Sequence, residues 1–316
     1  MTACWGSSSS MHLTQEVYLS LCTEHVDKCN LCGSGPSAWA TIALYDRFRY
    51  PTRSNSCMRC GMTCISPRMP QAAYNEFYAS GEYRRLVNSL TGNATPLQDT
   101  QTRYANYLVD FMRPTLSAGY AGSTMLDLGG STGILAAAFR DAFGLIPTVL
   151  DPAEGEVEQA RGRGIEAIVG DAETFQPGDR RWGIVGIFQS IDHFLNPMAV
   201  LATAREVMEP GGLLIVDIAE LRMLLAKRKS IEDICKLDHP HAFTEYTLRA
   251  MLEQAGFVVL MTGYSEPVGK MLCVCRRDLP RPGTRPDPSS VVEWFALLHN
   301  LRMRREYDYH NQGEVA

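Results

Sequence analysis

Three groups of residues in this 316-residue chain have the types and the spacing to do chemistry. The first is Cys29-Asn-Leu-Cys32-Gly33, followed by Cys57-Met-Arg-Cys60-Gly61. Each Cys-x-x-Cys pair can span one edge of a tetrahedron, and the glycine after it permits the tight turn that aims both sulfurs inward. The ligands expected are Cys29, Cys32, Cys57 and Cys60, holding a structural Zn2+. A closed set of four thiolates leaves no open position, so this metal is expected to fold a module and to do no catalysis. Cys64 is a spare thiol. The second group is Asp127-Leu-Gly129-Gly130-Ser131-Thr132-Gly133, whose glycines let the backbone turn sharply and approach a ligand without Cβ interference. The third is Asp238-His239, a carboxylate beside an imidazole. That is a common general-base unit, because the acid orients the ring and raises its basicity. His193 has a competing claim to the role, and His241 is expected at the loop surface.

These residues need elements to hold them. Met125–Leu128 reads as a buried strand, and Ile134, Leu135, Ala138, Phe139 and Ala142 recur at the spacing of one helical face. Ser131 and Thr132 supply hydroxyls where that helix wants an N-cap. Strand signals return at 146–150, 165–169, 184–188 and 213–216, with helical stretches at 155–162 and 197–208 between them. Such alternation implies parallel βαβ units in an α/β, doubly wound sheet. Phe257–Tyr264 and Lys270–Cys275 would close it, the last strand antiparallel. A strand, a glycine turn and a helix N-terminus form a nucleotide-shaped pocket at the carboxyl edge of the sheet. A dinucleotide turn wants Gly-x-Gly-x-x-Gly, and the glycine at the required offset is missing.

What the chain does have is an acid before the turn. Asp127 to Gly133 resembles the Asp-x-Gly-x-Gly-x-Gly turn of class I S-adenosylmethionine-dependent methyltransferases, with Ser131 in place of the middle glycine. A cationic sulfonium with an amino-acid tail tolerates an acid that a diphosphate would repel. Further matches follow in that family's order: Val149-Leu-Asp151, Val169-Gly-Asp171-Ala172, the segment from Ile187 through Gln189 and His193 to Pro197, and Glu209-Pro-Gly-Gly to Asp217. The resemblance implies a Rossmann-like fold and a cofactor site made by Asp127, Gly129, Gly130, Gly133, Asp151, Asp171, Ala172 and Gln189. Asp151 would hold the ribose hydroxyls, while Asp171 and a neighbouring backbone N–H would face adenine.

Taken whole, the chain is similar to the deoxysugar C-methyltransferases, which join an N-terminal Cys4 zinc module and a tyrosine-rich segment to this core. Those enzymes carry Glu-His where Asp238-His239 stands before Ala255-Gly-Phe257. The resemblance implies catalytic roles for Asp238, His239, His193 and a tyrosine, Tyr83 or Tyr78. The acceptor implied is a small-molecule substrate, a sugar or nucleotide-linked sugar of a biosynthetic pathway. This chain has only a short tail after the core, where the sugar enzymes generally continue into another α/β domain.

The expected domains are a flexible terminus and short helix (1–28), a zinc ribbon with the tyrosine-rich segment (29–95), the methyltransferase domain (96–277), and a proline-rich linker with a C-terminal helix (278–316). Ser7–Ser10 reads as flexible, and Leu13–Val26 as a helix capped by Thr14. Gln71–Ala79 is predicted helical, with Gly81 breaking the helix and leaving Tyr83 and Arg84 on a turn. Asn93–Asp99 reads as a connector before a helix over Thr102–Leu116. Leu221–Lys229 is predicted to be a helix over the pocket. Val291 to about Arg305, capped by Ser289 or Ser290, would pack on the main domain or form a homodimer.

A net charge of −5 supplies no general field for nucleic acid, and the arginines of the ribbon are scattered and nearly balanced. An RNA methyltransferase using its zinc module on RNA, and a non-catalytic zinc-ribbon interaction protein, are therefore the alternatives. No apolar run approaches a membrane span. The opening residues read as no signal peptide, and ten cysteines without one argue for reduced thiols and a cytoplasmic enzyme.

Overall fold

The computed structural model describes residues 13–91, 97–116, 119–227, 230–265 and 269–312. The Ser7–Ser10 run lies outside them. The chain enters through α1 (Gln15–Leu21), capped by Thr14, whose hydroxyl accepts from the amide of Val17 at 3.2 Å. The helix stops at Cys22, short of the predicted Val26. The antiparallel strands β1 (Trp39–Ala43), β2 (Ser54–Cys57) and β3 (Thr63–Ile65) follow, β1 and β2 filling the interval between the two cysteine pairs. Helix α2 (Gln71–Ala79) has the predicted bounds. Gly81, at φ 78°, then redirects the chain straight into a new helix, α3 (Glu82–Thr91). Tyr83 and Arg84 therefore stand in the first turn of a helix, not on the turn that was expected. Helix α4 (Leu97–Leu116) begins ahead of the predicted Thr102.

The alternating segments that come next build the main sheet: β4 (Thr124–Leu128), α5 (Ile134–Phe143), β5 (Ile146–Asp151), α6 (Glu154–Gly162), β6 (Glu166–Val169), β7 (Trp182–Phe188), α7 (Pro197–Val207) and β8 (Met208–Ala219). Strands β4 to β8 run parallel. Leu126, Leu128, Val149, Val185, Ile187, Leu214 and Val216 are all fully or almost fully buried, as strands covered on both faces must be. Short α8 (Leu221–Leu225) ends before the predicted Lys229, which lies outside the described residues. Next come β9 (His241–Ala242), α9 (Glu245–Gln254), β10 (Phe257–Ser265) and β11 (Lys270–Arg277). The sheet order is β10-β11-β8-β7-β4-β5-β6, with β11 antiparallel to both neighbours. The winding reverses between β4 and β7, so the glycine turn after β4 lies where an open α/β sheet leaves its crevice.

A second sheet, β1-β2-β3-β9, ties the cysteine region to the main domain. Thr63 pairs with Ala242 and Cys64 with His241. His241 is consequently only 1% exposed, against the expectation of a surface position. Helix α10 (Pro288–Gln312) starts before the predicted Val291, because the carboxylate of Asp287 accepts from the amide and hydroxyl of Ser289. It packs back on its own chain. Trp294 is buried between the two cysteine-bearing segments' sheet and α8, and its indole N–H donates to Ser56 Oγ at 2.9 Å. Among the described residues no helix is long and apolar enough to cross a membrane.

Candidate active site

The turn after β4 is shaped by contacts that only glycine permits. A Cβ on Gly130 would lie 2.7 Å from Asp127 Oδ2, one on Gly129 2.8 Å from Ser190 Cβ, and one on Gly133 2.8 Å from Ala160 Cβ. Ser131, which stands where the family turn has a glycine, adopts φ 51°. A left-handed serine is held only by its surroundings. Its hydroxyl bonds the Glu156 carboxylate, and its amide donates to Asp151 Oδ2 at 2.9 Å. The expected capping by Ser131 and Thr132 does not occur. Gly133 is the N-cap of α5 and no side chain caps it, while the Thr132 hydroxyl turns to Gln101 at 3.3 Å.

Acids line the carboxyl edge of the sheet beside this turn. Asp127 is buried at the penultimate position of β4, and burial, reinforced by Asp151 and Asp217, pushes its carboxyl up to about 8. Asp151, at the end of β5, is pushed up to about 6 by burial, against the amides of Ala153 and Ser131 that hydrogen-bond it. Asp217 near the end of β8 is likewise pushed to about 6 by burial, with Lys270 opposing. Asp171 accepts from the amide of Glu173 at 2.8 Å and Ala172 is buried beside it. Gln189, at φ 50°, turns its side chain onto Asp217, its amide nitrogen 2.5 Å from Oδ2. Buried carboxyls raised in this way form a site whose ionised state a cationic ligand would favour.

The loop after β7 carries the second half of the site. Ser190 anchors it to the β4 carbonyl of Leu128 at 2.9 Å, which sets His193 next to the acid–imidazole loop of residues 236–241. The rings of His193 and His239 lie 4.4 Å apart. His239 Nδ1 is 2.9 Å from Asp192 Oδ2, and Asp238 Oδ2 is 3.5 Å from His239 Nε2 and 3.8 Å from His193 Nδ1. Tyr78 Oη is 2.7 Å from His193 Nδ1, and Tyr83 packs against Tyr78 and His193. Burial pushes His193 down to about 4, against the pull of Asp192 and Asp238. Burial alone would raise Asp192 and Asp238, but His239, His193 and Lys236 hold both below the usual carboxylate range. The expected groups Asp238, His239, His193 and Tyr83 thus share one cluster.

Three participants, Asp192, Glu156 and Lys236, were given no role from the sequence. Asp192 carries a signal in its position beside His193. Tyr78, on α2, is the tyrosine whose hydroxyl reaches the imidazole. Glu156 and Arg84 form an ion pair that links α3 to the glycine turn, and a helix surface charge gives no hint of that. Lys236 lies 3.0 Å from His239 Nε2, two residues before Asp238 in the same loop.

The four knuckle cysteines converge as their spacing requires. Their sulfurs all lie within 4.8 Å of one another, with Cys29–Cys60 and Cys32–Cys57 at 3.5 Å and no disulfide among them. A zinc–sulfur bond of about 2.3 Å puts tetrahedral sulfurs about 3.8 Å apart, so the donor set fits that ion. Cys64 is not one of the converging sulfurs; it lies in β3, paired with His241.

Residues 98–262, just over half of the chain, match the model of a methyltransferase domain. No curated protein matches the sequence significantly. Among solved structures, the fold is similar to a mitomycin 7-O-methyltransferase, at 20% identity and TM-score 0.50, over 65% of this chain and 60% of that one. It is also similar to the magnesium protoporphyrin IX methyltransferase of Synechocystis PCC 6803 with bound SAH, at 14% identity and TM-score 0.52, over 66% of this chain and 100% of that one. At these identities the likeness is one of fold. The chain spans 60% of the length of the mitomycin enzyme.

Proposed function

The chain belongs to the methyltransferase-domain family, and on that premise we propose that it moves a methyl group from S-adenosylmethionine to a small-molecule acceptor, a sugar or nucleotide-linked sugar. One observation carries the choice of donor: Asp127, Asp151 and Asp217 are buried and raised together beside a glycine turn that has no room for a Cβ. A cationic ligand there would favour their ionised forms, and the sulfonium would supply an activated methyl when bound. Asp151 would hold the ribose, Asp171 and Ala172 the adenine end, and the Gly129–Gly133 turn would follow the cofactor's backbone contour.

The acceptor's chemistry follows from the adjoining cluster. Phenols, imidazoles and carboxylates packed together suit a polyhydroxylated ring, which offers donors and acceptors on every edge. An acceptor held there gives a proton to the acid–imidazole cluster, and the lone pair so freed, on an enolate carbon or a heteroatom, takes the methyl. Most of the rate would come from orientation and from charges already in place. Tyr78 and Tyr83 wall the site, and their burial keeps both phenols protonated and able to donate. Cys29, Cys32, Cys57 and Cys60 would hold a structural zinc that closes the N-terminal module.

The test is calorimetry of the zinc-loaded protein with S-adenosylmethionine, followed by methyl-donor assays on nucleotide-linked keto-sugars and on RNA. Binding of the cofactor and methylated sugar are the expected results. Failure to bind S-adenosylmethionine would overturn the donor, and methylated RNA with untouched sugars would overturn the acceptor.

A further inference from the structure

Lys236 belongs to the acceptor loop, and no part of the methyl-transfer reading above uses it. Its ammonium is 3.0 Å from Nε2 of His239, and on the opposite edge of that ring Nδ1 is 2.9 Å from Asp192 Oδ2. An ammonium has three donors and no lone pair, so a contact at this distance requires a bare acceptor nitrogen. The same ring must present N–H to the carboxylate. Both requirements are met by one state of His239, with its proton on Nδ1 and its lone pair on Nε2. The other neutral tautomer would set two donors head to head at Lys236 and two acceptors face to face at Asp192.

His193 differs. Its Nδ1 lies 2.7 Å from Tyr78 Oη, and the tyrosine hydrogen has a carbonyl to go to, that of Asp238 at 3.4 Å. The phenol oxygen can then accept from Nδ1–H. Nε2 of His193 has no partner at hydrogen-bond distance, Asp192 Oδ1 being 3.9 Å away. That carboxylate oxygen and Asp238 Oδ2 are both buried and without a hydrogen-bond partner, so they are placed to receive positive charge developing on His193.

We propose that Lys236 is a positioning residue of the acceptor site: it fixes His239 as a neutral, Nδ1-protonated ring braced on Asp192, and so leaves Nε2 of His193 as the nitrogen that accepts the acceptor's proton. The second half rests on the methyl-transfer reading; the tautomer of His239 does not. In the step itself His193 Nε2 takes the proton, the acceptor's freed electron pair forms the new bond to the methyl carbon, and the carbon–sulfur bond breaks to leave a neutral thioether. The groups facing this pair are Lys236, Asp192, Asp238, Tyr78 and Tyr83, together with Lys270 of β11, which interacts with both Lys236 and Asp192.

The experiment is long-range 1H–15N correlation of the histidine side chains in the zinc-loaded full chain, for wild type, Lys236→Arg and Lys236→Met, with S-adenosylmethionine binding by the wild type measured on the same sample. His239 should show a protonated Nδ1 and a bare Nε2 in wild type and in Lys236→Arg, and in Lys236→Met should take up a proton on Nε2, on the side of Asp238 Oδ2, while Nδ1–H stays on Asp192. His193 should show a bare Nε2. An Nε2–H tautomer of His239 in wild type overturns the role of Lys236, as does a Lys236→Met spectrum unchanged from wild type. A proton on Nε2 of His193 overturns the assignment of the base. The wild-type spectrum decides both points even if Lys236→Met fails to fold. Absent S-adenosylmethionine binding, by contrast, strikes the methyl-transfer reading and leaves the His239 tautomer standing.

Discussion

Asp127→Asn should make the protein more stable at neutral and alkaline pH, and the gain should grow with pH. Asp127 is 2% exposed and its carboxyl is pushed from 3.8 up to about 8, burial being the largest cause and Asp151 and Asp217 adding to it. A carboxyl raised on folding binds its proton more tightly in the native state. Its contribution is therefore fully present below pH 3.8 and is lost as pH rises through about 8. Each pH unit inside that window costs up to about 1.4 kcal/mol, so between pH 6 and 8 the wild type loses ~2 kcal/mol that asparagine does not. Asp151 and Asp217, pushed to about 6, titrate low in the same window in both proteins and largely cancel in the difference. Urea unfolding of wild type and variant at pH 6, 7 and 8 reads the effect directly. The same acid makes cofactor binding linked to proton release: S-adenosylmethionine should bind the wild type more tightly as pH rises toward 8, and the variant more weakly and with a flatter profile. A stability difference that stays constant over this range would refute the argument that Asp127 is a strained carboxyl awaiting a cation.

Gly130→Ala places a Cβ 2.7 Å from Asp127 Oδ2 and 3.0 Å from Val149 Cγ2, so it should cost about 1–3 kcal/mol and weaken S-adenosylmethionine binding more than tenfold. Calorimetry giving wild-type affinity would remove the turn from the cofactor site. Trp294→Ala empties a site that is 1% exposed and breaks the bond to Ser56, for a loss of about 3–5 kcal/mol in urea unfolding. A smaller loss would mean that α10 is not integral to the fold. Stripping zinc with a chelator, or Cys60→Ala, should raise amide exchange over residues 237–242 while S-adenosylmethionine still binds. Unchanged protection of those amides would show that the cysteine module does not support the acceptor loop.

The parallel core was legible because its strands are continuous apolar runs separated by helical periods, and the acids at 127, 151 and 171 end strands at places a sequence can mark. The cysteines were legible by spacing alone. Other features depend on distant partners. The hydroxyls of Ser131 and Thr132 look like caps locally, yet Glu156 and Gln101, brought in by α6 and α4, compete for them and win. Gly81 signals a break but not that a helix resumes at once, with the Glu82 carboxylate taking the Leu13 amide at 3.0 Å. His241 looked exposed because a two-residue strand has no periodicity to read.

That short strand changes how the N-terminal region relates to the chemistry. The acceptor loop is held largely by N-terminal residues: the Arg47 amide bonds the Cys235 carbonyl, the Leu237 amide bonds Asp46, the Leu237 carbonyl takes the Tyr74 hydroxyl, and the Ile65 amide bonds the Pro240 carbonyl. Asp46 is itself buried and pushed up to about 6, so its bond to Leu237 is exposed to pH as well. Beside this, Tyr78 reaches His193 from α2, and Arg84 reaches Glu156 from α3. The methyltransferase sheet alone therefore supplies the cofactor edge and His193. The posture of Asp238-His239 depends on residues of the N-terminal module, and on the proposed function a structural zinc held by Cys29, Cys32, Cys57 and Cys60 would bear on the acceptor site without an open coordination position.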